Sequence, residues 1–133
     1  MTLKELVRAA ICGEMEDISA CEVDAAAFGR VPAGEKAAAL YDSLVEEKKS
    51  RLLELGRILK EGTGFRKRSI EVSRSLEASL RARAVRAEKA SLIYTDLMRA
   101  LNKPEFKEAM KALALRERAI GAEIKALREG LKK

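Results

Sequence analysis

Two glutamates stand where the helical repeat of the sequence calls for an apolar side chain. Glu14 interrupts a series of apolar residues at positions 7, 11, 18 and 21, and Glu117 interrupts a similar series at 110, 113, 120 and 124. Such a three-four spacing predicts the buried face of an amphipathic helix. An ionised carboxylate on that face is unfavourable unless a cation, a hydrogen bond or a proton compensates it. Both glutamates are therefore candidates for a functional site.

Two further glutamates lie near the middle of other helical segments. Glu47 lies at the edge of the apolar stripe of its segment, and Glu88 lies next to the stripe of its own. In a bundle of antiparallel pairs, the midpoints of the helices share one level. We therefore predict a ring of four carboxylates, made of Glu14, Glu47, Glu88 and Glu117, that could bind metal. Taken alone, Glu47 and Glu88 also fit an ordinary solvated helix face.

Two basic residues offer a different partner for the buried glutamates. Lys48 and Arg51 point to the same side of their segment as its apolar residues. A cation inside a bundle can neutralise a carboxylate through a buried ion pair, without any metal. The pattern leaves both interpretations of Glu14 and Glu117 open, namely a weak or altered metal site and an internal ion-pair network.

The residue inventory excludes several kinds of active site. The chain contains no histidine, so neither a Ser/His/Asp triad nor a Cys/His pair can form. Its two cysteines, Cys12 and Cys21, fall on one predicted helix about 13 Å apart along the axis, which is too far for a disulfide. We expect both to be small core residues. Any metal site must then use carboxylates.

Length and composition indicate one all-helical domain. The chain has 133 residues, of which 36% are charged and 4% aromatic, with only 2 prolines, a composition typical of long helices. The net charge is +6, but acidic residues alternate with basic ones along most of the chain. Nucleic-acid binding is therefore not favoured, even at the basic run RARAVRAEK. No apolar run has the length of a signal core or a membrane span, and we expect a cytoplasmic protein with no membrane partner.

Capping and turn residues divide the chain into four helices. Pro32 and Pro104 suit the first turn of a helix, and Ser73 or Ser75 can cap another. Gly29 is expected to end the first helix in the left-handed conformation. The predicted helices run over about 2–28, 33–61, 75–102 and 104–131, within one domain that spans 1–133. Short turns then make two hairpins, and we predict an antiparallel four-helix bundle.

The connection between the second and third helices decides the topology. The segment GTGFRKRS reads as a loop or crossover. Residues 62–74, if extended, reach about 43 Å, which is enough to return along the bundle and make these two helices parallel. If the third helix instead begins near Ser69, an up-down-up-down bundle or a swapped dimer is expected. The sequence leaves this choice open, and the crossover is the working prediction.

Four short runs of sequence carry a resemblance to a known family. The third helix reads AVRAEKASLIYTDL, and AICGEMEDISAC in the first helix echoes it. Both are similar to the E-K-x-S-I-x-F-Y-x-x-L run of rubrerythrin-type helices. LVEEKKS in the second helix and LALRERAI in the fourth are similar to the family's L-A-x-E-E-K-x-H segment. The chain thus resembles the rubrerythrin branch of the ferritin-like proteins over nearly its whole length.

The resemblance implies a ferritin-like bundle with a di-metal carboxylate site that reduces oxygen or peroxide. In such proteins one Glu comes from each of two helices, and a Glu-x-x-His pair comes from each of the other two. Carried over, the metal ligands are Glu14, Glu47, Glu88 and Glu117. Glu47 and Glu117 would bridge two ions. The histidine positions hold Ser50 and Ile120 instead.

Loss of the histidines changes the chemistry that the resemblance implies. An all-oxygen site shifts the preference from iron toward manganese, magnesium or calcium, and its affinity falls. The expected protein has a degenerate di-metal site for iron or manganese, weak metal binding, and residual or lost oxidoreductase activity. Members of the family commonly form homodimers, and a homodimer is expected here. The alternative is a non-catalytic helical scaffold or interaction module with an ion-paired core, able in principle to touch nucleic acid.

Overall fold

Within residues 1–61 and 66–131, which the computed structural model of the chain describes, every long element is an α-helix. The four helices are α1 (Leu3–Phe28), α2 (Glu35–Leu59), α3 (Leu76–Ala100) and α4 (Pro104–Gly130). A short 3-10 helix, Pro32–Gly34, lies between α1 and α2. The predicted all-α four-helix bundle is confirmed, with helix ends that differ from the prediction by two residues or fewer.

Local sequence explains where the helices begin and end. Thr2 caps α1 and Ser75 caps α3, each through a side-chain oxygen that accepts a hydrogen bond from a backbone amide of the first turn. Lys60 ends α2 because its backbone adopts the left-handed conformation, with φ of 57°. The left-handed conformation predicted at Gly29 is wrong, since that residue has φ of −62°.

The connection from α2 to α3 runs back along α1. The Arg68 amide donates to the Ser19 hydroxyl at 2.9 Å, and the Ser73 amide donates to the Asp24 carboxylate at 3.0 Å, nearer the end of α1. α3 then starts beside the beginning of α2, where Tyr41 hydrogen-bonds to it. α2 and α3 are therefore parallel, and the crossover prediction is confirmed. Residues 62–65 of the GTGFRKRS segment lie outside the described residues.

The apolar stripes of the four helices meet in one core. α1 packs on α2 and α3, and α4 packs on the same two helices. The fully buried apolar side chains include Ile18, Leu44, Leu52, Leu55, Leu80, Leu97, Met110, Ile120 and Ile124. Cys21 is buried as predicted, but the core position predicted for Cys12 is wrong, because its thiol is exposed. Among the described residues, no helix is long and apolar enough to cross a membrane.

Candidate functional site

A cluster of charged side chains lies at the centre of the bundle. α1 contributes Glu14 and Asp17, α2 contributes Lys48 and Arg51, and α4 contributes Glu117. In α1 and in α2 the two residues are three positions apart, which places them on one helix face. All five side chains are buried, and three of them, Glu14, Lys48 and Glu117, are 0% exposed. We call these five residues the central ion cluster.

The Lys48 ammonium occupies the middle of the cluster. Its Nζ lies 3.3 Å from Glu14 Oε1, 2.9 Å from Asp17 Oδ2 and 3.0 Å from Glu117 Oε1. It donates hydrogen bonds to the two glutamates and forms an ion pair at hydrogen-bond distance with Asp17. One lysine of α2 therefore ties this helix to both α1 and α4.

Arg51 contacts the other side of the same two glutamates. Its Nη1 lies 3.1 Å from Glu14 Oε2 and 3.2 Å from Glu117 Oε2, and its Nη2 lies 3.1 Å from Glu47 Oε2. The guanidinium also lies over the ring of Tyr94, 5.8 Å from the ring centroid, a cation–π geometry that stabilises a desolvated arginine. Both oxygens of Glu14 and of Glu117 are therefore in contact with a cation.

Two further ion pairs surround the cluster. Arg83 of α3 pairs with Asp17, and Arg116 of α4 donates two hydrogen bonds of 2.8 Å to Glu47. With these rim residues included, four carboxylates face four cations, so the formal charges balance. Buried charges are tolerated when they are paired and hydrogen-bonded in this way.

Mutual attraction keeps three groups of the cluster, Asp17, Lys48 and Arg51, charged despite their burial. For Asp17, burial alone would raise the pKa, but Lys48 and Arg83 outweigh burial and lower the pKa below its usual value. For Lys48, burial alone would lower the pKa, but the three surrounding carboxylates outweigh it and raise the pKa. The pKa of Arg51 is raised by the same balance. Asp17, Lys48 and Arg51 are therefore charged near neutral pH.

At the rim, the buried Arg83 Nε has no hydrogen bond within the described residues, although the same guanidinium pairs with Asp17 through Nη1. Two further buried polar atoms, on Tyr94 and Glu117, also lack a hydrogen bond there. One is the Tyr94 hydroxyl, and burial raises the pKa of this phenol. The other is Glu117 Oε2, although Arg51 Nη1 lies 3.2 Å away. We regard this contact as an ion pair, because attraction between charges depends on distance more than on angle. Of these two atoms, only the Tyr94 hydroxyl is thus left without compensation.

The four predicted glutamates occupy different environments and do not form a ring. Glu14 and Glu117 are buried and share Lys48. Glu47 has a side chain 33% exposed and contacts the cluster from its edge. Glu88 is exposed in a groove between α3 and α4, because smaller neighbours on α3 take the buried positions. A position near the middle of each helix therefore does not bring the four carboxylates together.

The donor set does not fit the di-metal centre that the resemblance implies. In the two described ranges, no group of three or more His, Cys, Asp and Glu residues is placed to hold a metal ion. The Lys48 ammonium stands where an ion shared by three carboxylates would lie. At the family's histidine positions, Ser50 is exposed and Ile120 lies in the apolar core. Binding of iron or manganese stays an untested prediction, without support from this geometry.

Three residues of the site, Asp17, Arg83 and Arg116, are not anticipated from the sequence. Asp17 lies three positions after Glu14, so the helical spacing does offer a signal for it. Arg83 offers none, because it belongs to a basic run of the kind that usually faces solvent.

A second polar cluster lies near the C-terminal end of α1. The buried Asp24 carboxylate accepts from the Ser73 amide at 3.0 Å, from the Ser73 hydroxyl at 2.6 Å and from the Ser79 hydroxyl at 2.6 Å. The Tyr41 hydroxyl lies 2.8 Å from the Ser79 hydroxyl. These four residues, which we call the Asp24 cluster, attach the crossover and the start of α3 to α1.

Comparison with known proteins does not assign the site. No protein-family model matches the chain, and neither a curated protein nor a solved structure matches it significantly.

Proposed function

We propose that the chain is a non-catalytic, ferritin-like helical scaffold in which buried ion pairs take the place of a di-metal centre. One observation carries the proposal: the Lys48 ammonium lies within 3.3 Å of three carboxylates that converge from α1 and α4. A divalent cation would need the same position. Catalytic metal sites keep a coordination position open for water or substrate, and a site filled by a lysine of the protein itself has none.

The charges suit a role in specifying one packing of the helices. Removing one partner of a buried ion pair costs about 3–5 kcal/mol, whereas replacing the whole set by apolar residues can be neutral or stabilising. A gain in net stability therefore does not by itself explain why the protein keeps these buried charges. A slip of α2 by one helical turn would move Lys48 and Arg51 about 5.4 Å from their carboxylates. The cluster thus favours a single register of α2 against α1 and α4.

Fold and sequence together support a ferritin-like origin. The crossover along α1 makes α2 and α3 parallel, which is the connection that the resemblance implies. The resemblance assigns Glu14 and Glu117 to ligand positions of that family, and both lie in the middle of their helices, α1 and α4. Without the two histidines, the remaining carboxylates can be neutralised by the cations of α2.

The proposed partners are proteins rather than nucleic acid. In the run RARAVRAEK, Arg83 pairs with Asp17 inside the bundle and Arg81 pairs with Glu77 on the surface, so two of its four basic residues already hold carboxylates of the protein. A homodimer, as the resemblance implies, is the simplest assembly. A cytoplasmic location is part of the proposal, because the two free cysteines suit a reducing compartment.

Metal binding by the parent chain and by a Lys48→Ala variant tests the proposal. We expect no stoichiometric iron or manganese in the purified parent, and no stabilisation of the parent by Mn²⁺. In Lys48→Ala, the position between the three carboxylates is vacated and should accept Mn²⁺. A tenfold excess of Mn²⁺ over its Kd would raise the free energy of unfolding of the variant by about 1.4 kcal/mol.

A matched control separates this site from general charge effects. Lys49→Ala removes a partly exposed ammonium 3.9 Å from Glu22, and this variant should stay insensitive to Mn²⁺. Stoichiometric metal in the parent that disappears in Glu14→Gln would contradict the proposal and favour the di-metal interpretation.

A further inference from the structure

A surface groove lies between α1 and the crossover. Its volume is about 390 Å³, within the range of small-molecule sites. The floor is apolar and consists of the buried side chains Val7, Ile11 and Met15. None of the residues that line the groove belongs to the central ion cluster, so the groove can be considered independently of the proposed function.

Three arginines from two separate segments surround this floor. Arg8 comes from α1, and Arg66 and Arg68 come from the crossover, against one acidic lining residue, Glu61. The Arg68 guanidinium lies 3.6 Å from Met15 Sδ, which holds it over the floor. Arg8 and Arg66 make no ion pair or side-chain hydrogen bond with any residue in the described part of the chain. The groove therefore combines an apolar surface with an excess of positive charge.

We infer that this groove binds a small amphiphilic anion, with a carboxylate or phosphate head at Arg8 and Arg66 and a short hydrocarbon body on the apolar floor. Guanidinium groups bind both kinds of head through paired N–H donors. Burial of the hydrocarbon on the floor adds a favourable contribution that an inorganic anion lacks. The arginines of the bundle centre, by contrast, already hold carboxylates of the protein.

The lining favours an amphiphile over a nucleic acid. Proteins that bind single-stranded nucleic acid combine positive charge with aromatic rings on which bases stack. No aromatic residue is among the described residues that line the groove. Its floor consists of the aliphatic side chains of Val7 and Ile11 and the thioether of Met15, a surface that suits a hydrocarbon chain.

Cys12 provides a reporter inside the groove. Its thiol is exposed and lines the groove, whereas Cys21 is buried, and burial raises the pKa of the Cys21 thiol. In the folded protein, a thiol reagent should therefore modify Cys12 alone. A ligand in the groove would slow this reaction, and unfolding by an amphiphile would be visible as reaction of a second thiol.

The experiment measures the rate at which an uncharged disulfide reagent modifies Cys12 in the full chain, as decyl phosphate or decanoate is added below its micelle-forming concentration. We expect saturable protection by both compounds, and much weaker protection by decanol or by inorganic phosphate. The double variant Arg8→Gln/Arg66→Gln should raise the Kd about tenfold or more, because charged hydrogen bonds to the head are lost. Arg30→Gln, at an exposed arginine in the α1–α2 turn, should leave the Kd unchanged.

Several outcomes would overturn the inference. One is equal protection by decanol and decanoate, and another is an unchanged Kd in the double variant. Reaction of a second thiol on addition of the amphiphile would also overturn it, since protection would then not report a folded groove. Protection by a single-stranded oligonucleotide, with none by the amphiphiles, would overturn it in favour of a nucleic-acid site.

Discussion

The central ion cluster and the Asp24 cluster compensate buried carboxylates in different ways. In the centre, the carboxylates meet a lysine and an arginine of a facing helix at 2.9 to 3.3 Å. Asp24 pairs with no cation among the described residues and accepts three hydrogen bonds from Ser73 and Ser79. Position explains the difference, because the crossover has a free backbone amide to donate, whereas the interior amides of a facing helix are already bonded.

Ion pairs in the centre and hydrogen bonds at Asp24 predict different sensitivities to mutation. Removing a cation from the centre leaves a buried charge without balance, whereas removing the Asp24 carboxylate leaves only neutral hydroxyls and an amide. A buried unpaired charge is more costly than an unpaired neutral group. The centre should therefore respond more strongly, and it should respond to pH.

Removal of the central cation is expected to have the largest effect. Lys48→Met keeps most of the side-chain length but leaves three carboxylates with excess negative charge, so we expect the free energy of unfolding to fall by about 3–5 kcal/mol. Urea denaturation at neutral pH measures the change. Lys49→Met is the matched control, since the Lys49 ammonium is partly exposed, 3.9 Å from Glu22. Equal losses in the two variants would show that the central position of Lys48 has no special role.

Acid should destabilise the bundle through Asp17 of the central ion cluster and Glu47 at its rim. The pKa of Asp17 is lowered because Lys48 and Arg83 outweigh burial, and that of Glu47 is lowered chiefly by hydrogen bonds from Arg116. Each group contributes its full stabilisation above the unfolded carboxyl pKa of about 4 and loses it as the pH falls through the lower folded pKa. Urea denaturation between about pH 7 and pH 2 should show this loss, and Asp17→Asn should make it smaller. A stability independent of pH in that range would contradict the assignment.

Alkali should also destabilise the bundle, because the pKa of Lys48 is raised where that of Asp17 is lowered. The pKa of Lys48 is raised because the carboxylates around it outweigh burial, so its contribution is complete below the unfolded pKa of about 10.4 and declines above it. Burial raises the pKa of Tyr41 to about 12, and its neutral phenol therefore stabilises the fold until about pH 10. The same denaturation series, continued to about pH 11, should show a second decline. In Lys48→Met, the lysine part of this decline should be absent.

A smaller effect is expected when the Asp24 cluster is broken. Asp24→Asn replaces an acceptor oxygen by a donor opposite the Ser73 and Ser79 hydroxyls, and we expect a loss of about 1–2 kcal/mol. Hydrogen exchange at the Ser73 amide, which donates to Asp24 at 3.0 Å, should become faster. Asp42→Asn, on the exposed face of α2, is the control. A loss as large as that of Lys48→Met would contradict the distinction between the two clusters.

The sequence predicts the helices and part of the site because both depend on the repeat of apolar residues. Glu14 and Glu117 break that repeat, and Lys48 lies on the buried side of α2, so all three are found from the pattern. Asp17 is missed because α1 is covered by two helices and by the crossover, which buries a wider arc than one apolar stripe. The Asp24 cluster is missed because its partners come from the crossover, whose path no helical repeat specifies.

Glu88 is the position at which the pattern misleads, and the smallest effect is expected there. Like Glu14 in α1, Glu88 lies near the middle of its helix, α3. The Glu88 side chain is exposed. Glu14, by contrast, is 0% exposed and lies within 3.3 Å of Lys48 and Arg51. Glu88→Gln should leave the urea midpoint unchanged, while Glu14→Gln should lower it by leaving a buried cation short of a partner. A drop at Glu88 as large as that at Glu14 would mean that the four glutamates act together, as the di-metal interpretation requires. A drop at Glu14 alone would leave the ion pairs as the reason for the buried carboxylates.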